Sequence, residues 1–199
     1  GSLENAAVYL RRALEHYPGH ERAMAELAAV DAFLGRREEA DQLARKLKPA
    51  WAVYSDRMLA GWLMGAGRKD EAMAVLERAV RGGTHDATLR VALADLYFQA
   101  NPPNFAAAKA EYERAAADGM DGAAEWMKLG YACEKTGDKK GAEAAYRKSL
   151  ARDERQHQVW YLLAGVLAGQ GDKAGARAAL EKCLAIKPDF EPAKRAVGK

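Results

Sequence analysis

The second half of the chain repeats itself at one fixed spacing. Two tryptophans, Trp126 and Trp160, mark this spacing, and the same order of leucine, small residue, glycine and alanine follows each of them. The pairs that recur at this spacing are Trp126 and Trp160, Leu129 and Leu163, Gly130 and Ala164, Gly137 and Gly171, and Ala142 and Ala176. Self-similarity at one fixed period predicts stacked units, each of which buries its apolar face against its neighbours.

Each unit contains two apolar stripes with helical spacing, separated by a polar turn. In the last unit Trp160 and Leu163 fall on one face of a first helix. Gly171 follows that stripe, and glycine ends helices because it adopts positive φ at low cost. A second stripe runs through Leu180, and Pro188 closes the unit because proline is disfavoured inside a helix. The pattern therefore predicts a pair of helices in every unit.

These residues resemble the tetratricopeptide repeat, whose pattern is W-x2-L-G-x2-Y followed by A-x3-F/Y, A and P. The resemblance covers nearly the whole chain and implies an all-α, right-handed superhelical solenoid of antiparallel helix pairs. The expected ranges are 1–2 as the remnant of an expression tag, 3–20 as a half-repeat that supplies a second helix, 21–52, 53–86, 87–122, 123–156 and 157–190 as full repeats, and 191–199 as the start of a further or capping helix. We therefore expect a fragment of a larger, bacterial protein.

Three charged residues depart from the family's pattern. Asp56 and Arg90 stand at the tryptophan position of their repeats, with the same spacing as Trp126 and Trp160. We expect them to face each other as an ion pair on adjacent helices, because an unpaired charge near the core is costly. Asp31 stands where the family prefers a residue like tyrosine, which indicates either a local irregularity or a different register of the first repeat.

Composition limits the classes of partner and compartment. The net charge is +3, and residues 123–199 hold 15 Lys and Arg against 10 Asp and Glu. This bias either favours an acidic partner or is ordinary solvated surface. Cys133 and Cys183 fall at helix-packing positions and are expected to be small buried residues. Because no apolar run approaches about 20 residues, we predict no membrane insertion. The compartment stays open between the periplasm and the cytoplasm of a bacterium.

Patterns typical of catalysis or cofactor binding are missing from the sequence. Residues 169–174 match a loose dinucleotide fingerprint, but they follow an amphipathic helix where that fingerprint needs a strand. His16 and His20 are separated by Pro18, which breaks the helix that would align them for a metal. We predict no enzyme activity, no catalytic residue, no metal and no cofactor. Nucleic acid is not expected as a partner either, since the charge is nearly balanced.

The family resemblance implies where a partner would bind. In such arrays the first helices of successive repeats line a concave groove, and their inward-facing positions hold a peptide or protein ligand. The matching positions are Tyr54, Arg57, Met64, Thr88, Asp95, Phe98, Gln99, Tyr131, Glu134, Lys135, Gln158 and Tyr161. The Lys–Asn clamp of members that bind chaperone tails has no counterpart at the matching positions of the first helices. The groove is better suited to an amphipathic helix or an extended segment with apolar side chains.

The resemblance implies a non-catalytic scaffold for protein–protein interaction. Its Ala- and Arg-rich style resembles bacterial arrays that serve envelope assembly, such as exopolysaccharide export. As an alternative, the chain is the regulatory or substrate-recruiting arm of an enzyme whose catalytic domain lies outside it. A third hypothesis is self-association through uncapped ends.

Overall fold

The computed structural model describes residues 1–197, which form twelve α-helices and no β-strand. The helices are α1 Ser2–His16, α2 Glu21–Phe33, α3 Arg37–Ala44, α4 Pro49–Gly65, α5 Lys69–Arg81, α6 Ala87–Gln99, α7 Phe105–Ala117, α8 Ala123–Lys135, α9 Lys139–Arg152, α10 His157–Gln170, α11 Lys173–Ile186 and α12 Glu191–Val197. The all-α helical repeat fold expected from the sequence is confirmed. Within residues 1–197, every helix is too short or too polar to cross a lipid bilayer.

Helices α2 to α11 follow one another as five pairs, with α1 before them and α12 after them. The first pair is irregular, because α3 has only 8 residues. Helix α4 has 17 residues and begins at Pro49, ahead of the repeat boundary expected at residue 53. Proline suits this position, because the first residue of a helix has no intrahelical partner for its N–H.

The chain divides into two compact units, residues 1–89 and residues from 90 onward. In the first unit α1 packs on α2, and α2 packs on α3 and α4. Ala7 of α1 lies against Leu27 and Val30 of α2, and partly buried leucines and Trp62 surround them. Helix α1 therefore completes the core of the first pair.

In the second unit a close approach between α8 and α9 depends on Gly130. A Cβ atom at this position would lie 2.5 Å from two ring carbons of Tyr146, which is fully buried. The second helices also present small buried residues at the repeat spacing: Ala108, Ala142 and Ala176. These small residues allow neighbouring helices to pack closely, as the sequence pattern predicts.

The turn between α10 and α11 uses the glycine expected from the sequence. Gly171 ends α10 with φ of 90°, in the left-handed region that favours glycine. Asp172 then caps α11, since its carboxylate accepts the backbone N–H of Gly175 at 2.8 Å. Asp138 and Asn104 cap α9 and α7 in the same way. Each cap satisfies an N–H that the first turn of a helix leaves unpaired.

Asp31 is a completely buried carboxylate in the first unit. It accepts hydrogen bonds from Arg11 Nη2 at 2.6 Å and from Arg36 Nη1 at 3.0 Å. The two guanidinium groups offset the desolvation of the acid, which explains how a charge occupies the position of a large ring. Arg36 also contacts Glu4, so this ion cluster links α1 to the turn after α2.

Both cysteines are buried and free, as expected. Burial raises the pKa of the Cys133 thiol to about 11 and also raises that of Cys183. Both side chains therefore act as small apolar residues of the core.

Candidate partner-binding surfaces

The twelve residues predicted to line a groove all lie on first helices, and none of them is buried. Tyr54, Asp95, Phe98, Tyr131 and Tyr161 are half-buried. The exposed ones are Arg57, Met64, Thr88, Gln99, Glu134, Lys135 and Gln158. They fall into two sets, because Tyr54, Arg57, Met64 and Thr88 belong to the first unit and the other eight to the second.

In the first unit the site is built around Tyr54 of α4. Its hydroxyl donates to Glu26 at 3.3 Å, and its ring packs edge-on against Trp51 with centroids 5.5 Å apart. The guanidinium of Arg57 lies 5.8 Å from the Tyr54 ring centroid and 3.6 Å from a carboxylate oxygen of Asp86. A cavity of about 440 Å³ lies against these side chains. The ring is thus fixed in orientation beside an open space.

In the second unit three aromatic rings form a cluster on α6, α7 and α8. The ring centroids of Phe98, Phe105 and Tyr131 are 5.4 to 5.7 Å apart. The Lys135 ammonium lies 4.9 Å from the Tyr131 centroid. Sequence reasoning missed Phe105, because it assigned ligand contacts to first helices only and Phe105 begins a second helix. The position of Phe105 directly after Asn104, a residue type that caps helices, was the sequence feature that could have placed it at the start of α7.

Two predicted groove acids already hold tyrosines of second helices. Asp95 accepts from the Tyr112 hydroxyl and pairs with Lys128 Nζ at 2.7 and 2.9 Å. Glu134 accepts from the Tyr146 hydroxyl at 3.1 Å. Burial and the nearby carboxylate raise the pKa of Tyr112, and the same two causes raise that of Tyr146. Both tyrosines therefore stay protonated and donate hydrogen bonds. The main role of Asp95 is to hold neighbouring helices together through Tyr112 and Lys128.

Around Tyr161 the second unit has a larger cavity, of about 650 Å³. Tyr161 and Gly165 of α10 line it, with Glu134 also on the lining and Lys173 and Arg177 contributed by α11. Residues of α12 complete the lining, which the sequence did not predict. The Tyr161 ring is positioned by Phe190, whose centroid is 5.4 Å away.

The charged residues at the tryptophan positions find partners inside their own helix pairs. Asp56 accepts from Arg78 of α5 at 2.6 Å. Arg90 lies 3.1 Å from Glu111 and 2.5 Å from Asp118, and all three side chains are largely buried. Burial raises the pKa of Asp56, although the charge of Arg78 acts in the opposite direction. The expectation of a paired charge therefore holds, with Arg78 in the place we assigned to Arg90.

One group of potential metal ligands lies near the turn between α8 and α9. A carboxylate oxygen of Glu113, the sulfur of Cys133 and a carboxylate oxygen of Asp138 lie within 4.8 Å of one another. However, Lys109 Nζ lies 2.7 Å from Asp138 and 3.6 Å from Glu113. The Lys109 ammonium already pairs with both acids, and the raised thiol pKa disfavours the thiolate that a metal would need. This cluster is an ion pair that connects α7 to the cap of α9.

Comparisons with known proteins agree with this architecture. A model of the tetratricopeptide repeat family matches residues 104–157 and 136–189. The crystal structure of YrrB, described as a TPR protein with an unusual peptide-binding site, is similar with a TM-score of 0.69 over 96% of this chain and 98% of that chain, at 16% identity. A crystal structure of MamA protein has a TM-score of 0.65 over 73% of this chain and 79% of that chain, at 19% identity.

BtubC (BKLC) from P. vanneervenii is also similar, with a TM-score of 0.58 over 96% of this chain and 90% of that chain, at 20% identity. No curated protein matches the sequence. At these identities the likeness to solved structures shows the fold alone.

Proposed function

We propose that the chain, whose residues 104–189 match the tetratricopeptide repeat family, is a non-catalytic scaffold that holds a partner peptide or protein along its first helices. Repeats of this family form protein-interaction scaffolds. The partner surface we propose comprises the exposed and half-buried residues of α4, α6, α8 and α10.

The observation that carries the proposal is the cavity beside Tyr161. Its volume of about 650 Å³ lies within the range of sites that bind ligands, roughly 300 to 1,000 Å³. A Cβ atom at Gly165 would meet no other atom within 4 Å, so the backbone of a partner can approach α10 closely. The side chains of Glu134, Lys173 and Arg177 supply charge of both signs around an apolar floor.

These features favour an amphipathic helix or an extended segment as the ligand. Such segments bind by inserting apolar side chains into a groove while their polar side chains meet charges at its edge. In the second unit Tyr131 and Phe98 offer half-exposed rings beside Lys135, and large rings and cations are the residues that typically anchor interfaces. In the first unit Tyr54 and Arg57 offer the same combination.

The test is a capture experiment from a native lysate with a matched control. One bait, the groove variant, carries Tyr131→Ala and Tyr161→Ala, which remove two half-buried rings of the proposed groove. The control bait carries Tyr9→Ala and Tyr17→Ala, two tyrosines of the α1 region that are 72% and 70% exposed. We expect a protein that the wild type and the control capture and that the groove variant loses, with all three baits folded by circular dichroism.

Capture that is indifferent to the groove variant would contradict the proposal. So would unfolding of that variant, because the rings would then belong to the core. We further propose that the scaffold serves bacterial envelope assembly or exopolysaccharide export. Identification of captured proteins by mass spectrometry tests it, since cytosolic metabolic enzymes alone would count against that setting.

A further inference from the structure

Two helix pairs place a cation of the second helix over the tryptophan position of the first helix. Arg78 of α5 contacts Asp56 of α4 at 2.6 Å. Lys148 of α9 lies 4.2 Å from the ring centroid of Trp126 in α8, and Trp126 is only 7% exposed. A cation over an indole face is attracted by the ring and shields it from water. In both pairs, a cation of the second helix therefore lies against the residue at the tryptophan position.

The last pair departs from this arrangement. Lys182 is the counterpart of Lys148 in the next repeat, but within residues 1–197 its ammonium makes no cation–π interaction with the Trp160 ring. Instead, a cavity of about 580 Å³ lies against Trp160, with Leu163 and Ala178 also on its lining. A second cavity, of about 250 Å³, shares Trp160 and Leu163 with the first. We call these two cavities together the Trp160 cleft.

The indole at the centre of the Trp160 cleft is held in one orientation. Its Nε1 donates to the backbone oxygen of Glu154 at 2.9 Å. The ring is half-buried, so its fixed position leaves apolar surface open on the side of each cavity. An aromatic side chain that is already ordered loses little conformational entropy when a ligand packs against it.

The Trp160 cleft and the groove lie on opposite faces of α10. Trp160, Leu163 and Leu167 line the cleft, whereas Tyr161 and Gly165 line the groove cavity. At about 100° per residue, the mean directions of the two sets lie about 150° apart around the helix axis. A ligand in one site therefore leaves the other site open.

Unpaired charges stand at both ends of the cleft. Lys182 lines the larger cavity and Glu154 the smaller one. The side chains of Lys182 and Glu154 have no ion-pair partner among residues 1–197. The other charges of the lining are satisfied, because Arg147 pairs with Glu143 and Glu181 pairs with Arg177. The cleft is thus apolar at its centre, cationic at one end and anionic at the other.

We propose that the Trp160 cleft is a second binding site, which takes an amphipathic segment of a partner protein. Apolar side chains of that segment pack against the indole, a carboxylate faces Lys182 and a cation faces Glu154. Charge complementarity of this kind sets the direction in which the segment lies. The site is independent of the groove, so a scaffold with both surfaces holds two partner segments on one helix.

The probe is a synthetic peptide of about 14 residues that forms a helix, with leucines and one phenylalanine on one face, glutamates at one end and lysines at the other. A second peptide carries glutamine at every charged position. The readout is the indole N–H resonance of Trp160 in the 15N-labelled chain, assigned with Trp160→Phe. We expect the charged peptide to shift this resonance and the neutral peptide to bind about threefold more weakly.

Ala178→Phe fills the larger cavity from an exposed position of α11. We expect it to weaken peptide binding at least about tenfold. The matched control is Ala144→Phe, the equivalent exposed position of α9 in the preceding repeat, which lies outside the lining, and it should leave binding unchanged. Because Ala178 is exposed, the variant should keep the melting temperature of the wild type.

Lys182→Glu tests the charges without filling the cleft. It should weaken the charged peptide about threefold, and a peptide with lysines in place of the glutamates should bind this variant more tightly than the wild type. Three results would overturn the proposal: no shift of the Trp160 resonance at millimolar peptide, equal binding by Ala178→Phe, or a resonance that moves on dilution of the protein alone. The last result would show that a second copy of this chain occupies the cleft.

Discussion

Gly130 and Gly165 are both helical glycines of the second unit, yet a methyl group has opposite consequences at the two positions. At Gly130 it would meet the ring of Tyr146 at 2.5 Å, whereas at Gly165 it would meet nothing within 4 Å. Tyr146 has little freedom to move, because it is fully buried and its hydroxyl is bonded to Glu134. The same residue type thus serves helix packing at one position and an open surface at the other.

We predict that Gly130→Ala lowers the free energy of unfolding by about 1–3 kcal/mol, because the buried ring must shift in a packed core. Gly165→Ala should raise it by about 0.5–1 kcal/mol, since alanine restricts the unfolded chain and fits a helix better. Urea unfolding followed by circular dichroism measures both changes. Equal stability of the two variants would show that Gly130 does not mark the close contact between α8 and α9.

A second prediction at this scale concerns Arg90, which takes the place of a tryptophan. Its side chain is 10% exposed, and those of its partners Glu111 and Asp118 are 8% and 11% exposed. Arg90→Met would leave two carboxylates in the core without this cation, so we expect a loss of about 3–5 kcal/mol in the free energy of unfolding.

The control for Arg90 is Arg152→Met, which removes an ion pair with Asp121 between side chains that are 50% and 62% exposed. We expect a loss of at most about 1 kcal/mol there, because exposed pairs are screened by water. If both variants lost the same stability, the pairs of Arg90 would be ordinary surface interactions and the burial argument would fail.

At the scale of elements, the caps of the second helices combine local and tertiary contacts. Asp138 accepts the backbone N–H of Gly141 at 2.9 Å and also receives Lys109 Nζ of α7 at 2.7 Å. The bond with Lys109 is the main reason that the pKa of Asp138 is lowered, and the cap bond with Gly141 adds to it. One carboxylate thereby begins α9 and connects it to α7.

This arrangement predicts how stability depends on pH. A carboxylate whose pKa is lower in the folded state contributes its full stabilisation above its unfolded pKa and loses it as the pH falls through the folded pKa. Asp138→Asn keeps the cap, because asparagine is also a good N-cap residue, but removes the charge. We expect the variant to be less stable than the wild type near pH 7, and the difference to shrink below about pH 4.

Urea unfolding at a series of pH values measures this difference. Asp172→Asn is the control, because Asp172 caps α11 through Gly175 and has no lysine partner in the described residues. The control should show a smaller difference from the wild type at neutral pH. A difference for Asp138→Asn that stays constant down to about pH 3 would contradict the assigned role of the Lys109 pair.

At the scale of the whole molecule, the two cysteines report on the integrity of the second unit. Cys133 lies in α8 and Cys183 in α11, and both are buried. At about pH 8 a thiol of ordinary pKa is roughly one quarter thiolate, whereas a pKa of about 11 leaves roughly 0.1%. We predict that the native protein reacts with a thiol reagent at least about a hundredfold more slowly than the unfolded chain.

The measurement is the rate of labelling across a urea titration, compared with the loss of helical circular dichroism. A repeat array is held together by contacts between neighbouring repeats, so units of one chain can unfold at different denaturant concentrations. Labelling that coincides with only part of the loss of helix would assign that part to the second unit. Rapid labelling of the folded protein would contradict the burial of both thiols.

Local sequence determined the helix pairs and the turns of this protein. The spacing of Trp126 and Trp160 and the turn glycines Gly137 and Gly171 were predicted from residues close together in the chain, and the caps that the structure shows at Asp138 and Asp172 are equally local. This information is local because helical periodicity, positive φ and N-capping act within a few residues. The repeat spacing then predicted the positions of the other helix pairs from the position of one.

The tertiary structure decided which of the polar and aromatic side chains meet. Sequence spacing paired Asp56 with Arg90, but the rotamers and helix positions bring Arg78 to Asp56. Likewise, Asp95 has the spacing of a groove residue and is engaged by Tyr112 and Lys128. The residues that make these contacts are 17 to 33 positions apart in the sequence. At such separations the repeat period alone does not fix the distance between side-chain atoms.

The same limit explains why only the structure distinguishes the two tryptophans. Trp126 and Trp160 occupy equivalent positions, yet Lys148 covers one ring and a cavity lies beside the other. A repeat pattern assigns equivalent residues to equivalent places, whereas the direction of a lysine side chain and the space beside a ring depend on packing in three dimensions.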